Sequence, residues 1–347
     1  MDLAFRLELA EKWTVLVGKN GAGKSVILEE IVSRPRLSAG ATSGSVGRCQ
    51  VEFEGVGGRL FLEQIVEMPK IEEPFTSPPK SPLTERCWFE GEEPLWTSKE
   101  GHLEFQDGSS LAIPIGEGAL SMFEQLTDAQ KEVVGPPCLA LLRVKRVYAG
   151  VPRQGIRSVS FLYRKGEPGW KAGEQSRLSD LIVSIANGTP SEFEELRSAA
   201  EELGLLKTLR LENAKSEHFE FAMLLADGVN VGLLSDGTQR ALEILWSLVS
   251  KTGLLCIEEP ETGFHPGLLS RLLNVIESHA GDRQIVISTH SPQVLARTQP
   301  SELRFVSNNA GKIAVKPLAP EAVAGLATFL EETGTVGDFV FNDEEHA

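Results

Sequence analysis

A glycine-rich run near the start of the chain has the residue types and spacing of a phosphate-binding loop. It follows an apolar stretch, Trp13–Val17, that predicts a buried strand, and it precedes a predicted helix over 25–32. Glycines let backbone N–H groups turn inward around phosphate oxygens, and the helix that follows presents its positive end. In such a loop Lys24 would reach the β- and γ-phosphates and Ser25 would ligate Mg²⁺. The run Gly18-Lys19-Asn20-Gly21-Ala22-Gly23-Lys24-Ser25 fits G-x-x-x-x-G-K-[ST] and predicts nucleotide binding; the alternative is a plain glycine-rich turn.

Two adjacent carboxylates follow a second apolar strand. The run Leu254–Ile257 predicts a buried strand that leads directly into Glu258, Glu259 and Pro260. Carboxylates at the end of a buried strand are costly unless a metal ion or a donor meets them. Beside a magnesium nucleotide, Glu258 would hold a magnesium-bound water, and Glu259 would orient and polarise the attacking water. The alternative is a polar loop after a strand.

An amphipathic helix is predicted after the run Leu233-Leu234-Ser235-Asp236-Gly237-Thr238-Gln239-Arg240. Ser235 or Asp236 would be its N-cap. A capped helix end also suits a phosphate, because the N-terminus of a helix carries partial positive charge. The two interpretations are compatible. The apolar face of this helix consists of Leu242, Leu245, Trp246 and Val249.

His290 lies in a polar turn after another apolar strand, predicted over 284–288. A lone histidine in a turn is usually a surface or capping residue. Strands and helices alternate through this last third of the chain, and such alternation indicates a parallel sheet with flanking helices.

These four motifs, in this order, resemble the nucleotide-binding core of ABC-type ATPases. The resemblance is to the soluble branch that includes SMC, RecF and OLD-like proteins, and it is carried by residues 5–32 and 231–292. It implies ATP and Mg²⁺ as cofactors, hydrolysis of ATP, and a homodimer packed head to tail over ATP. The segments most similar to OLD-like ATPases are Glu258-Glu259-Pro260-Glu261-Thr262-Gly263-Phe264-His265-Pro266 and Thr289-His290-Ser291-Pro292.

The resemblance also implies roles for individual residues. Ser235 and Gly237 would contact the γ-phosphate held by the other subunit, and His290 would be the switch histidine that bonds the γ-phosphate. Glu258 departs from the family, in which Asp is usual at this position. The longer side chain carries its carboxylate further out, so the metal geometry is expected to differ.

The predicted fold class is α/β, a P-loop NTPase with an ABC-ATPase head at residues 1–50 and 216–347. An inserted lobe of strands and helices is expected at 51–215, in place of a coiled coil. The glutamine that senses magnesium in this family should lie between residues 35 and 70. Gln50 and Gln64 are both candidates, and the sequence does not choose between them.

The expected partner is a separate effector protein. Only 57 residues follow His290, too few for the TOPRIM domain of OLD nucleases. Stand-alone ATPases of this branch are associated with DNA repair or anti-phage systems, often beside a nuclease or toxin. The alternatives are the nucleotide-binding subunit of an ABC transporter and a non-hydrolysing, ATP-gated scaffold.

The amino-acid composition and charge exclude several classes of protein. The chain of 347 residues has 34 Lys and Arg against 49 Asp and Glu, a net charge of −15, which disfavours nucleic-acid binding over its whole surface. It has no apolar run of about 18 residues and no secretory pattern at its start. The cysteines form no CxxC pair, so we expect a cytoplasmic protein without a zinc site. They are Cys49, Cys87, Cys138 and Cys256.

A basic segment over 143–165 contrasts with this acidic balance. It carries seven Lys and Arg and no Asp or Glu, with Tyr148, Phe161 and Tyr163 among them. Such a segment can bind a nucleic-acid backbone and stack bases on its aromatic rings. The alternatives are a solvated strand face that pairs with the acidic excess and a docking surface for an acidic protein. The cations are Arg143, Lys145, Arg146, Arg153, Arg157, Arg164 and Lys165.

Overall fold

The computed structural model contains two compact units. The first is drawn from Met1–Arg6, Gly23–Val144 and Asn308–Ala314, and the second from Leu7–Ala22, Lys145–Ser307 and Val315–Ala347. The structure describes residues 6–37, 47–55, 58–66, 83–114, 117–142, 144–148, 162–164, 170–172, 177–215, 220–250, 253–281, 283–309 and 311–318.

The chain forms both strands and helices. The strands are β1 (Trp13–Val17), β2 (Gly47–Gly55), β3 (Gly58–Val66), β4 (Leu83–Phe89), β5 (Trp96–Lys99), β6 (His102–Phe105), β7 (Ser110–Ala112), β8 (Val144–Val147), β9 (Leu162–Arg164), β10 (Lys171–Ala172), β11 (Leu209–Lys215), β12 (Glu220–Ala226), β13 (Val229–Asn230), β14 (Leu254–Glu258), β15 (Gln284–Ser288), β16 (Leu303–Asn309) and β17 (Lys312–Pro317). The α-helices are α1 (Lys24–Leu37), α2 (Asp128–Leu142), α3 (Arg177–Ala186), α4 (Pro190–Glu202), α5 (Asp236–Val249), α6 (Pro266–His279) and α7 (Pro292–Leu295). Short 3-10 helices cover Ala119–Gln125, Val231–Leu233 and Pro300–Glu302. Among the described residues, no helix combines the length and apolar character needed to span a bilayer.

A six-stranded sheet with the order β17-β16-β1-β15-β14-β8 carries the predicted site strands. β1 pairs in parallel with both β15 and β16, and β15 pairs in parallel with β14. All five residues of β1 are buried, as are the last four of β14 and of β15. Strands buried on both faces require continuous apolar runs, which is what the sequence provides. The predicted α/β class with a parallel sheet is confirmed.

The second unit also contains an antiparallel sheet in the order β10-β9-β12-β11, with β13 paired to β12. The turn from β12 to β13 uses Asp227 and Gly228, both at positive φ (50° and 79°), as a tight two-residue hairpin requires. One apolar core joins residues of both sheets and of α3, α4, α5 and α6. The predicted apolar face of α5 lies in this core, with Leu242 and Leu245 fully buried.

The first unit is built on an antiparallel meander in which each strand from β2 to β7 pairs with the next. Its apolar core joins the meander, through residues such as Leu62 and Trp96, to side chains from 119–134. A buried carboxylate, Glu85, accepts hydrogen bonds from the side-chain amide of Gln64 (2.7 Å) and the N–H of Ala119 (2.9 Å). Both donors satisfy a charge that would otherwise oppose folding.

The two compact units do not coincide with the predicted domains, which stay a prediction. Residues 145–215, expected in the inserted lobe, belong to the second unit together with the parallel sheet. The reason is that β8 joins this sheet and that α3 and α4 contribute to its core. A smaller difference concerns α1, which continues through Pro35 to Leu37 although a proline normally ends a helix before it. Nothing in the structure explains that continuation.

Candidate nucleotide site

The predicted phosphate-binding loop connects β1 to α1. Its glycines have φ angles of 151° at Gly18, 80° at Gly21 and 105° at Gly23, a region that other residues rarely adopt. A Cβ at Gly18 would collide with the carbonyl oxygen of Val306. The sequence therefore uses glycine at the positions where the backbone of the loop demands it.

The side chains of this loop differ in exposure. Lys24 is buried, with 6% of its surface exposed, whereas Ser25, in the first turn of α1, is exposed. Lys19 and Asn20 are exposed, and Ala22 is buried with its N–H donating to the carbonyl of Lys19 (3.1 Å). The Ser25 hydroxyl is thus accessible to a ligand.

The ends of three neighbouring strands carry the motifs. The phosphate-binding loop follows β1, His290 follows β15, and Glu258 is the last residue of β14. Because β1, β15 and β14 are parallel neighbours, their carboxyl ends lie at one edge of the sheet. Two hydrogen bonds extend the pairing past the strands: Thr289 N–H donates to Leu16 (3.2 Å) and Glu259 N–H donates to Ser288 (2.7 Å).

Glu258 forms a buried ion pair that the sequence did not predict. Its Oε2 accepts a hydrogen bond from Nη2 of Arg146 at 2.8 Å, and the two side chains are 10% and 5% exposed. The Arg146 guanidinium also lies over the ring of Tyr148, 4.3 Å from its centroid. A buried carboxylate is tolerated at this strand end because a permanent cation from β8 meets it. The predicted role of Glu258 toward magnesium stays a prediction.

Glu259 occupies an unusual backbone conformation. Its φ of 45° is one of three positive values at non-glycine residues in the described chain. Its N–H donates to Ser288, and its carboxylate accepts a hydrogen bond from the Thr262 hydroxyl (3.2 Å). Left-handed backbone at a non-glycine residue is often found where surrounding structure holds a functional side chain. The side chain is half-buried, unlike that of Glu258.

A third carboxylate, Glu261, was not singled out from the sequence. Its two oxygens accept hydrogen bonds from the Thr289 hydroxyl (2.9 and 3.0 Å), and Oε1 also accepts one from the N–H of His290 (2.8 Å). The sequence signal for Glu261 is its place as a third acidic residue, two positions after Glu259. Glu261 joins the loop after β14 to the turn after β15.

The amphipathic helix predicted from the run over 233–240 begins as expected. α5 starts at Asp236, and Ser235 is its N-cap, with Oγ accepting from the N–H of Thr238 (3.2 Å). Of the two candidates, Ser235 is therefore the capping residue. Gly237 packs closely on the loop after β14, because a Cβ there would lie 2.6 Å from the carbonyl oxygen of Gly263.

Arg240 is a second residue that sequence reasoning missed. It is only 2% exposed, and its guanidinium donates to the backbone carbonyls of Tyr148, Glu258 and Glu259, the last at 3.0 Å. The side chain therefore links α5 to the ends of β14 and β8. Its position within a motif that precedes an apolar helix was visible, but its partners lie far along the chain.

The basic segment is not one exposed surface. Arg146 is buried against Glu258, so it is not available to line a groove, whereas Lys145 is half-buried. Burial lowers the pKa of Lys145, and the nearby carboxylate of Glu243 partly offsets this. The groove interpretation is therefore wrong for Arg146, because its guanidinium is buried against Glu258, and for Lys145 it stays a prediction. The described residues do not include Arg143, Arg153, Arg157, Phe161 and Lys165, or the side chains of Tyr163 and Arg164.

The remaining candidates have structural positions. Trp13, the first residue of the predicted strand, is buried in the core of the second unit. Of the candidate glutamines, Gln64 is buried against Glu85, whereas Gln50 is exposed on β2. In the part of the chain that the structure describes, no group of three or more His, Cys, Asp or Glu side chains could hold a metal ion.

Comparisons with known proteins agree with parts of this description. Residues 173–296 match a protein-family model described as an AAA domain, putative AbiEii toxin, Type IV TA system. The match includes α5, the acidic strand end and His290, but not the phosphate-binding loop. None of the curated proteins matches this sequence.

Solved structures provide a second comparison. The chain is similar to the SMC head domain from Thermotoga maritima, with 13% identity and a TM-score of 0.46 over 90% of this chain and 92% of that one. An ATP-binding subunit of an ABC transporter has 14% identity and a TM-score of 0.41, over 96% and 88% of the two chains. An Smc head domain from Pyrococcus furiosus, solved with the C-terminal domain of ScpA, has 12% identity and a TM-score of 0.41, over 93% and 94%.

Proposed function

We propose that this protein is an ABC-type ATPase that binds ATP and hydrolyses it to ADP and phosphate. The observation that carries the proposal is the common edge of β1, β15 and β14. A phosphate-binding loop, a histidine turn and a pair of carboxylates follow three adjacent parallel strands. In open α/β sheets, ligands bind at the carboxyl ends of the strands.

The chain's own residues would divide the reaction as follows. Backbone N–H groups of the loop and the Lys24 ammonium hold the β- and γ-phosphates. Glu259 orients a water molecule and polarises it for attack on the γ-phosphorus. The bond from that water to phosphorus forms as the bond to the β–γ bridging oxygen breaks. The water's proton passes to the Glu259 carboxylate, and the negative charge leaves on ADP. His290 donates a hydrogen bond to a γ-phosphate oxygen, where charge is held during the transfer.

The residues present fit Mg²⁺, a hard cation that prefers oxygen ligands and is usually held by one or two protein groups plus phosphates. The exposed hydroxyl of Ser25 is such a group. Glu258 is the second candidate, although its carboxylate already pairs with Arg146. When bound, the metal ion would neutralise phosphate charge.

Two subunits would pack head to tail, with each ATP between one phosphate-binding loop and the other subunit's α5. The capped N-terminus of α5 supports this role, because Ser235 and Gly237 lie where backbone N–H groups and the helix dipole favour an anion. The close packing of Gly237 on Gly263 would connect that anion site to the loop that carries Glu259.

A separate effector protein completes the proposal. The matched family model is described as an AAA domain, putative AbiEii toxin, Type IV TA system, and this description supports a role in such a system over one in a transporter. Anti-phage defence and DNA repair are the processes in which we expect this ATPase to act. DNA would have to bind through the rest of 143–165. The charge-reversed pair Arg153→Glu and Arg157→Glu would then lose DNA binding and keep ATPase activity, and an unchanged DNA affinity would contradict this.

Phosphate release with Mg·ATP tests the catalytic proposal. We expect Lys24→Ala to lose ATP binding, and Glu259→Gln to keep ATP binding while turnover falls by about 100-fold or more. A matched control is Glu201→Ala, an exposed glutamate on α4, which should behave as wild type. If Glu259→Gln releases phosphate as fast as a hydrolysing wild type, Glu259 is not the catalytic residue. If both proteins bind ATP and neither releases phosphate, the protein is an ATP-gated scaffold.

A further inference from the structure

Glu261 holds the histidine turn from the neighbouring strand end. It lies three residues after the end of β14, and its carboxylate reaches the two residues that follow β15. Three contacts define the arrangement: two from the Thr289 hydroxyl at 2.9 and 3.0 Å, and one from the N–H of His290 at 2.8 Å. The third contact fixes the backbone of His290 itself.

Thr289 is the centre of this network. It is 1% exposed, and its hydroxyl oxygen also accepts a hydrogen bond from the N–H of Ser291 (2.8 Å). Its own N–H donates to Leu16, the residue before the last of β1. The Glu261 carboxylate therefore contacts a turn whose backbone is hydrogen-bonded to β1, the strand that leads into the phosphate-binding loop. A displacement of this turn would move His290 relative to that strand.

The three carboxylates at this strand end have different surroundings. Glu258 is paired with Arg146, and Glu259 accepts one hydrogen bond from Thr262 within its own loop. The Glu261 carboxylate instead accepts hydrogen bonds from the adjacent turn after β15. A carboxylate engaged by a hydroxyl and a backbone N–H is oriented and held, which suits a positioning role and not that of a base.

We propose that Glu261 is a positioning residue that sets His290 for contact with the γ-phosphate. This inference rests on the proposed ATPase function. In this arrangement the loop after β14 holds the turn that contains His290. Hydrogen bonds from this one loop would therefore position both Glu259 and His290. The carboxylate of Glu261 itself does not contact the reacting atoms.

The expected effect falls on turnover and not on ATP affinity. Glu261→Ala should lower the rate of phosphate release by about 100-fold, because a displacement of about 1 Å at a catalytic group can have that effect. Its ATP dissociation constant should stay close to that of wild type. Glu261→Gln retains an amide oxygen that can accept from the N–H of His290, so it should recover most of the rate. Glu201→Ala is again the matched control.

A double-variant cycle with His290→Ala decides between positioning and a general structural role. If Glu261 acts through His290, adding Glu261→Ala to His290→Ala causes no further loss of turnover. Hydrogen exchange should show faster exchange in the peptide covering 289–292 of Glu261→Ala, with β14 and β15 still protected.

The outcomes separate the inference from the proposed function. A wild-type protein that releases no phosphate overturns the ATPase proposal and the inference that rests on it. A wild type that releases phosphate overturns only the inference if Glu261→Ala matches its rate. Additive losses of Glu261→Ala and His290→Ala overturn it as well.

Discussion

Removal of the Arg146 guanidinium is expected to destabilise the second unit strongly. The perturbation is Arg146→Met, which keeps most of the side-chain volume and leaves the Glu258 carboxylate buried without its cation. Both partners are at least nine-tenths buried and their charged atoms are 2.8 Å apart. Loss of one partner of a buried ion pair lowers the free energy of unfolding by about 3–5 kcal/mol. The total for a domain is about 5–15 kcal/mol, so the variant should be marginal.

Hydrogen exchange of peptides from β14 and β15 is the suitable assay, because it reports on opening of the second unit alone. The matched control is Arg197→Met, which breaks an exposed ion pair with Glu194 on α4. That pair should contribute at most about 1 kcal/mol. Arg146→Met with Glu258→Met should recover most of the loss, because a hydrophobic pair of similar volume can replace a buried ion pair.

The pH dependence of Arg146→Met provides an internal check. The unpaired carboxylate can avoid its charge by taking up a proton in the folded state, whereas the unfolded chain releases that proton above about pH 4.3. The folded variant then binds more protons than the unfolded one, so its stability falls as pH rises. A loss no larger than that of Arg197→Met, or a double variant no more stable than the single one, would refute the reasoning.

Three other results are expected. Gly237→Ala should lower the free energy of unfolding by about 1–3 kcal/mol in urea titrations, because its Cβ would lie 2.6 Å from the Gly263 oxygen; an unchanged midpoint would contradict this. Burial raises the pKa of Cys87 and of Cys256 to about 12, so peptide mass spectrometry should find both unalkylated after iodoacetamide treatment at pH 8 and alkylated in urea; labelling of the folded protein would contradict their burial. Lys145→Met should be more stable than wild type near neutral pH. The pKa of Lys145 is lower in the folded protein than its unfolded value of about 10.4, so wild-type stability rises with pH in the window below that value. The stability advantage of Lys145→Met should shrink over the same window, and a constant difference would contradict this.

Local signals predicted the secondary structure around the site well. β1 and β15 coincide with their predicted apolar runs, and Ser235, one of the two predicted N-caps, caps α5. In each case the residues that decide the structure are neighbours in sequence, so composition and spacing suffice.

The contacts between the motifs could not be predicted in the same way. Arg146 lies 112 residues before Glu258, and Arg240 lies 92 residues after Tyr148, so neither pairing leaves a local pattern. The basic segment suggested an exposed surface because a run of cations usually is one. β8 instead belongs to the six-stranded sheet, where Arg146 is paired with the buried carboxylate of Glu258. The position of 145–215 in the second unit follows from the same long-range pairing.

The oligomeric mass of Glu259→Gln, with and without Mg·ATP, tests the central proposal most directly. Slow hydrolysis should trap the ATP-bound state, so we expect a monomer without nucleotide and a dimer with it. Ser235→Arg, which places a bulky cation at the capped end of α5, should prevent that dimer while leaving ATP binding intact. A protein that binds ATP and stays monomeric would contradict the proposal. The start of α5 would then be a capped helix end with no role in binding ATP. A dimer that forms equally well with Ser235→Arg would contradict the head-to-tail site.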